Sequence, residues 1–456
     1  MTARALTHPF GKVATFLSLY LLAVFLAATC SAAEAKVQAA GFRAGAATGN
    51  ITPFIGGNII GGFHPFPSKH VHDDLHARCL VLDNGRTRLA FVVCDLIGLS
   101  RYLCDEARRL VQEETGIPAG HVMISGTHTH SATSALGDRF STKPELDDYQ
   151  KFVARRIADA VRCAINNLAP ARIGWGVGSE PRHVFNRRWF LKPGTMPVNP
   201  FGNTNDLVKM NPGRGNPNLV KPAGPTDPEI SFIAVQTPEG RPIALLANYS
   251  LHYVGGVRGA DISADYYGMF CDRMQQLLSA DRQDPPFVAM LSNGTSGDIN
   301  NIDFTKPGEK YAPYERMREV ANDVAQATLK AYQTIQWRDT VPLGAAFLDM
   351  EIGFRHPTPE QLERAKRILA RIEPGKKPNT LEEIYAERTL QVNGYPQRGK
   401  IPLQALRVGD VGIGTTAPAH RLQVAGNARV EGYLLVGNPA APSTAPSSGL
   451  TGYYST

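Results

Sequence analysis

The feature that most restricts how this chain folds is a pattern met at three places: an apolar, strand-like run ending on a turn rich in chemically active side chains. Val122-Met123-Ile124 delivers Ser125-Gly126-Thr127-His128-Thr129-His130-Ser131. The run at 242–247 delivers Asn248-Tyr249-Ser250-Leu251-His252, and the run at 286–291 delivers 292–301, SNGTSGDINN. In open α/β sheets the crevice beyond the carboxyl ends of the strands is where ligands bind. The three turns are therefore expected to converge, placing His128, His130, His252 and Asp298 in one pocket. Imidazoles two residues apart suit two jobs, neutral nitrogens on a transition metal or one ligand beside one proton carrier.

The elements around these turns predict an α/β fold: a large mixed-sheet domain with flanking helices. Runs at 78–82 and 89–96 flank Asp83-Asn84-Gly85 and read as a hairpin, as do 230–236 and 242–247 around Pro238-Glu239-Gly240. Helical periodicity marks 103–115, 146–168, 263–279, 313–335, 358–372 and 381–391, and 401–409 reads as another core strand. Residues 192–228, rich in Pro, Gly and Asn, read as a long loop of the kind that rims a site. No internal repeat is evident up to residue 409. His70, His72 and His76 offer a second metal cluster, against which stands the plainer reading of a polar strand entry, since nothing fixes them on one face.

A chain of 456 residues exceeds one small core, which leaves one large domain or two. A net charge of +7 without Lys/Arg clusters interleaved with aromatics disfavours nucleic acid but leaves attraction to anionic membrane surfaces or substrates. Arg4 and Lys12 precede an apolar run at 13–28, and Ser31-Ala32-Ala33-Glu34-Ala35 offers A-x-A cleavage sites. Residues 1–35 thus read as an export signal, implying a secreted or periplasmic protein. The run is short for a spanning helix, the rival reading. The cysteines show no C-x-x-C spacing and read as small buried hydrophobes with room for one disulfide.

The landmarks GNITP at 49–53, HDDLHARCLVLDNG at 72–85, SGTHTHS at 125–131, Asn186-Arg187-Arg188, DPEISF at 227–232, NYSLH at 248–252, ISADYYG at 262–268 and NGTSGDINN at 293–301 resemble, in order, those of the neutral/alkaline (non-lysosomal) ceramidases. The resemblance covers roughly residues 42–410. It implies a zinc ion held by the first histidine of the THTH element, a later histidine, a glutamate and a tyrosine, which makes His128 and His252 zinc ligands. It further implies that His130 moves protons beside the metal and that Arg187 contacts the reacting amide. Gly297-Asp298 would open the signature GDVSPN. The implied reaction is hydrolysis of the N-acyl bond of ceramide, or a related lipid amide, to sphingosine and fatty acid.

Two departures stand out. Asn300 occupies the signature's serine position and Asn301 its proline, and an asparagine side chain is no nucleophile. Beyond residue 410 the chain leaves the family pattern, and VGIGTTAPAHRLQVAGNARVEGYLLVG resembles the repeat of phage tail-fibre and adhesin stalks, with no counterpart of the family's immunoglobulin-like domain. His420 falls near the expected glutamate and Tyr453 near the expected tyrosine, so these complete the candidate metal set, with Asp298, Asp261 or Asp265 as other carboxylate sources. The expected organisation is a signal at 1–35, a metallohydrolase domain at 36–410 and a β-structured, partly flexible tail at 411–456. Alternatives are a catalytically impaired ceramidase-like binding or surface protein, and a secreted amidase or esterase with another substrate.

Overall fold

The computed structural model describes residues 41–137 and 145–409, with backbone strands at Val411–Ile413 and Leu422–Val424 that pair in parallel. The signal at 1–35, His420 and Tyr453 lie outside the described residues.

The first half of the chain forms a meander of β1 (Arg43–Asn50), β2 (His76–Asp83) and β3 (Arg88–Cys94). Helix α1 (Arg101–Thr115) then returns the chain to β4 (Val122–Gly126), which lies parallel to β3, and α2 (Asp148–Asn166) follows. The sheet order is β4-β3-β2-β1, with a short edge strand at Ala169–Pro170. The second half repeats this plan. Strands β5 (Arg172–Ser179), β6 (Glu229–Gln236) and β7 (Pro242–Tyr249) form a meander, α3 (Asp265–Leu277) crosses over, β8 (Val288–Asn293) pairs in parallel with β7, and α4 (Glu315–Tyr332) follows. Its order, β8-β7-β6-β5, is the same. The repeat absent from the sequence is therefore present in topology.

Period-two alternation explains how the halves join, because successive side chains of a strand point to opposite faces. On β2, Leu80 and Leu82 face the second sheet, packing with Val288 and Met290 of β8 in a core between the sheets. The alternate residues Ala77, Cys79 and Val81 face outward and are covered by α1 and α2. Phe232, Ala247 and Leu291 of the second sheet are covered in the same way by α3 and α4. The result is four layers, helix-sheet-sheet-helix. Both faces of each central strand are buried, so these strands read as continuous apolar runs. Gly45 permits the close approach of α2 to β1: a Cβ there would lie 2.1 Å from the Ala164 carbonyl oxygen.

Local chemistry fixes the helix ends. Ser100 caps α1 by accepting from the Leu103 amide at 3.2 Å, and Gly116 ends it in a left-handed conformation. Asp147 and Gln150 form a reciprocal capping box on α2.

Three expectations change. The segment read as a long loop carries a small sheet of Arg188–Leu191, Lys209–Met210 and Leu219–Pro222. The strand read as core is β10 (Arg398–Val408), half of a two-stranded ribbon with β9 (Leu343–Gly353) whose residues are largely half-buried or exposed. Helices α5 (Pro359–Leu369) and α6 (Leu381–Asn393) connect the two strands and share a small core of Ala365, Ile368 and Ala386. The five described cysteines are all free, so the disulfide for which the sequence leaves room does not form among them, and Cys163 is exposed rather than buried. No helix among the described residues is long and apolar enough to cross a membrane.

Candidate metal centre

The turn after β4 leaves the sheet sharply. The Thr127 amide donates to the Cys94 carbonyl at 2.9 Å and the His128 amide to Leu96 at 3.0 Å, which bends His128 into a left-handed conformation with φ 65°. Backbone strain of this kind clusters at ligand sites. The turn is tied to the other half of the molecule: Thr129 Oγ1 and Ser131 Oγ both donate to the Ser263 carbonyl, at 3.2 and 3.0 Å. His252 arrives from the end of β7, next to the turn that follows β8.

These turns bring three imidazoles together. His130 Nε2 lies 3.3 Å from His128 Nε2 and 3.3 Å from His252 Nε2. The ring centroids are 4.8 to 5.2 Å apart. Each far nitrogen meets a backbone carbonyl: His128 Nδ1 meets Ile97 at 2.7 Å, His130 Nδ1 meets Gly61 at 2.7 Å and His252 Nδ1 meets Ser296 at 3.0 Å. A carbonyl oxygen only accepts, so each Nδ1 carries the proton and each neutral ring turns its Nε2 lone pair inward. No hydrogen bond can then join the inner nitrogens directly, and a cation among them would relieve their mutual repulsion.

Protonation is not the available relief. Burial first, then His128 and His252, push His130 down to about 3. Burial, with His128 and Arg187, brings His252 to about 4 against the bond to Ser296. The donor set instead suits zinc, because two nitrogens on a tetrahedral zinc with bonds of about 2.0–2.1 Å sit roughly 3.3–3.4 Å apart. Carbonyls that fix the tautomer of each ring are the usual outer support of such ligands.

Other side chains brace the cluster. Tyr253 stacks on His130 with ring centroids 3.8 Å apart. The buried Asp265 carboxylate accepts from the Val254 amide at 3.0 Å and the Gly255 amide at 2.8 Å, fixing the chain just past His252. Asn301 Nδ2 donates to the Val254 carbonyl at 3.0 Å. A cavity of about 560 Å³ opens over the cluster, lined by His128, His252, Arg188, the 293–297 turn and Asp298.

The remaining candidates fall as follows. Asp298 reaches the cavity wall, its Oδ2 accepting from Asn186 Nδ2 at 3.0 Å. Arg187 donates through Nε and Nη2 to the Gly297 carbonyl at 3.1 and 2.5 Å, so in this state it secures the turn rather than reaching into the cavity, where Arg188 stands instead. Asn300 is engaged with Asn211 Oδ1 at 3.2 Å and with the Ile302 amide at 2.9 Å. Neither Asp261 nor Asp265 nor Asp298 joins the three histidines in the compact group of metal-competent atoms. Asp261 accepts from the Tyr314 hydroxyl and Asp265 from backbone amides. His70, His72 and His76 do not converge: His72 stacks on Tyr314, His70 approaches Asp261, and His76 sits on β2. A second group, Glu180, His183 and Asp323, is compact but already satisfied, since Arg182 pairs with both carboxylates and Arg316 donates to His183.

His130, for which the family resemblance implies proton transfer, places its Nε2 at the same distance from His128 and from His252. The sequence carries no signal for Tyr253 or for the three bracing carbonyls, which depend on long-range contacts.

No known family profile matches the chain. Solved structures similar to it include the neutral ceramidase from Pseudomonas aeruginosa and a ceramidase complexed with C2. Each superposes on 82% of this chain with a TM-score of 0.55 at 16% identity. The fold is similar to that of neutral ceramidase. The chain spans 62% and 63% of those two proteins' lengths.

Proposed function

We propose that this protein is a zinc-dependent hydrolase of lipid N-acyl amides, with ceramide or a close relative as substrate. The observation that carries the reading is the meeting of three imidazole Nε2 atoms beneath an open cavity. His128, His130 and His252 would hold the ion, three protein ligands being the usual number in a catalytic zinc site. When bound, zinc supplies Lewis acidity towards a carbonyl and makes water a better nucleophile near neutral pH.

The chain's own residues supply the rest. With His130 holding metal, proton movement falls to Asp298, the carboxylate on the cavity wall. The guanidinium of Arg188 lines the wall on which a developing oxyanion would need donors, whereas the Gly294, Thr295 and Ser296 amides of the adjoining turn already donate to Tyr249, Ser250 and Gly294. Arg187 acts one step back by securing the Gly297 carbonyl. Asn300 takes no nucleophilic role, and the proposed route is direct attack of water rather than an acyl-enzyme. The export signal read at 1–35 assigns the activity to the secreted or periplasmic space.

The test is metal analysis of purified protein together with fatty-acid release from a fluorescent ceramide, for the wild type, His130→Ala and His252→Ala. Both variants are expected to lose stoichiometric zinc and activity together. A wild-type preparation that stays metal-free and inert after zinc addition overturns the proposal. Full zinc retention by His130→Ala returns His130 to the role of proton carrier. A screen of simple amides and esters alongside ceramide separates a general amidase from a lipid-selective enzyme.

A further inference from the structure

The hairpin at 54–69 exposes several large apolar side chains next to the His130 turn. A turn closed by the Gly57 amide donating to the Phe54 carbonyl at 3.0 Å, with Gly56 at φ 96°, presents Phe54 and Ile55 outward, 95% and 63% exposed. The short strands Asn58–Ile59 and Phe66–Pro67 then pair, leaving Phe66 43% and the tip residue Phe63 48% exposed. The inner side of the hairpin is fastened to the site: Ile59 bridges Thr133, and the Gly61 carbonyl accepts from His130 Nδ1. The hairpin that carries the apolar tips is thus fastened to the His130 turn.

A second loop continues this surface. Phe63 lies under Arg388 of α6 at 5.2 Å, and one turn earlier on the same helix Tyr385 meets Phe201 with centroids 5.7 Å apart. Charge is distributed to match. Residues 51–72 contain no Asp or Glu but include Lys69, and residues 188–226 carry five Lys or Arg against the single acid Asp206. On α6, Glu382 is engaged by Arg364 and Glu383 by the Asn379 and Thr380 amides, while Glu387 adjoins Arg388 in sequence. Exposed aromatic and aliphatic tips within a cationic, acid-poor rim are the pattern of a segment that enters the headgroup layer of an anionic membrane.

We propose that the 54–69 hairpin, joined by the 188–226 loop, docks this protein on an anionic phospholipid bilayer, with the cavity over the histidine cluster held beside the membrane surface. The lipid-amide reading gives the docking its purpose. Docking itself is measured without substrate, so the two proposals fail separately.

The experiment is co-sedimentation of full-length protein with vesicles of phosphatidylcholine alone and of phosphatidylcholine mixed with phosphatidylserine. Binding is expected to the mixed vesicles, weaker in high salt, and reduced about tenfold or more by the double substitution Phe54→Ser, Ile55→Ser. Both side chains are exposed, so melting temperature and zinc content should not change. Should that variant misfold, Lys69→Glu with Lys221→Glu tests the same surface through charge. Absence of binding to phosphatidylserine vesicles, or equal binding by wild type and variants, overturns the proposal. So does a wild-type dimer in solution that the serine substitutions abolish, which would make the patch a contact between copies of the chain.

Discussion

Tyr253 lies flat against His130, with ring centroids 3.8 Å apart and planes 13° from parallel. The stack covers one face of the imidazole, while the Gly61 carbonyl fixes its rotation about the ring axis. Tyr253 itself stays neutral, since burial and the nearby Asp265 raise its phenol. The aromatic face, not the hydroxyl, therefore does the positioning. Tyr253→Ala is expected to weaken zinc affinity about tenfold, within the range for outer-support residues of metal sites. Tyr253→Phe should bind like wild type. Competition with a coloured chelator measures both, and equal losses in the two variants would assign the effect to the hydroxyl.

The histidine cluster makes the metal-free protein acid-sensitive. Free imidazole titrates at 6.5, whereas His130 is held down to about 3 and His252 to about 4. Across that interval the unfolded chain binds more protons than the folded one, so stability falls as pH drops below about 6.5. By linkage each ring costs about 2 kcal/mol at pH 5 relative to neutral pH. Denaturant titrations of chelator-treated protein at pH 7.5 and 5 should show this loss, and His130→Asn should show about half of it. A variant with the full wild-type acid sensitivity would rule out this origin.

Asp265 is the buried anchor of the loop behind the site. Its carboxylate accepts from the Val254, Gly255 and Tyr266 amides at 3.0, 2.8 and 2.6 Å, with its backbone at φ 58°. Asp265→Ala leaves these buried donors without a partner, at roughly 1–3 kcal/mol for each that water cannot reach. A stability loss of about 3 kcal/mol or more is expected by urea denaturation. Asp265→Asn keeps an acceptor and tolerates the left-handed backbone, so it should lose less. Equal losses would mean that charge rather than hydrogen bonding holds the loop.

Much of the architecture was legible because local and global signals agreed. The β2-β3 hairpin carries an Asn84-Gly85 turn between apolar runs, and α2 begins on a capping box, so short windows sufficed. Strand β5 was not legible. Its glycines 174, 176 and 178 leave one face without side chains, and Cβ atoms there would lie 2.8 to 2.9 Å from Ile335 and the Ala327 carbonyl. Ile173, Trp175 and Val177 alternate with those glycines, but Trp175 and Val177 are exposed and it is the glycine face that packs against the helix, so the apolar alternation marks the wrong face. The repeated topology was hidden for another reason: two copies of one strand-helix plan need only similar burial, not similar residues. At the candidate site, the histidines announced themselves as chemistry. The level standing of His130 rests on carbonyls of Ile97, Gly61 and Ser296, at separations of 31, 69 and 44 residues from their partners, which no local pattern encodes.

Gly61 gives the sharpest steric test of that long-range bracing. A Cβ at this position would lie 2.0 Å from the His130 carbonyl oxygen, and the obstacle is backbone that cannot swing aside. Gly61→Ala must push the hairpin away from the His130 turn and break the Nδ1 bond to the Gly61 carbonyl. Freed of that bond, His130 no longer has a fixed tautomer, and its Nε2 loses its aim at the cluster. Zinc affinity is expected to fall about 10- to 100-fold, the range for loss of a ligand's hydrogen-bonded support. Gly62→Ala is the control, because a Cβ there meets nothing within 4 Å. Zinc titration of the pair should separate adjacent alanine substitutions by at least an order of magnitude. If both bind like wild type, the Gly61 carbonyl is not what holds His130 in place.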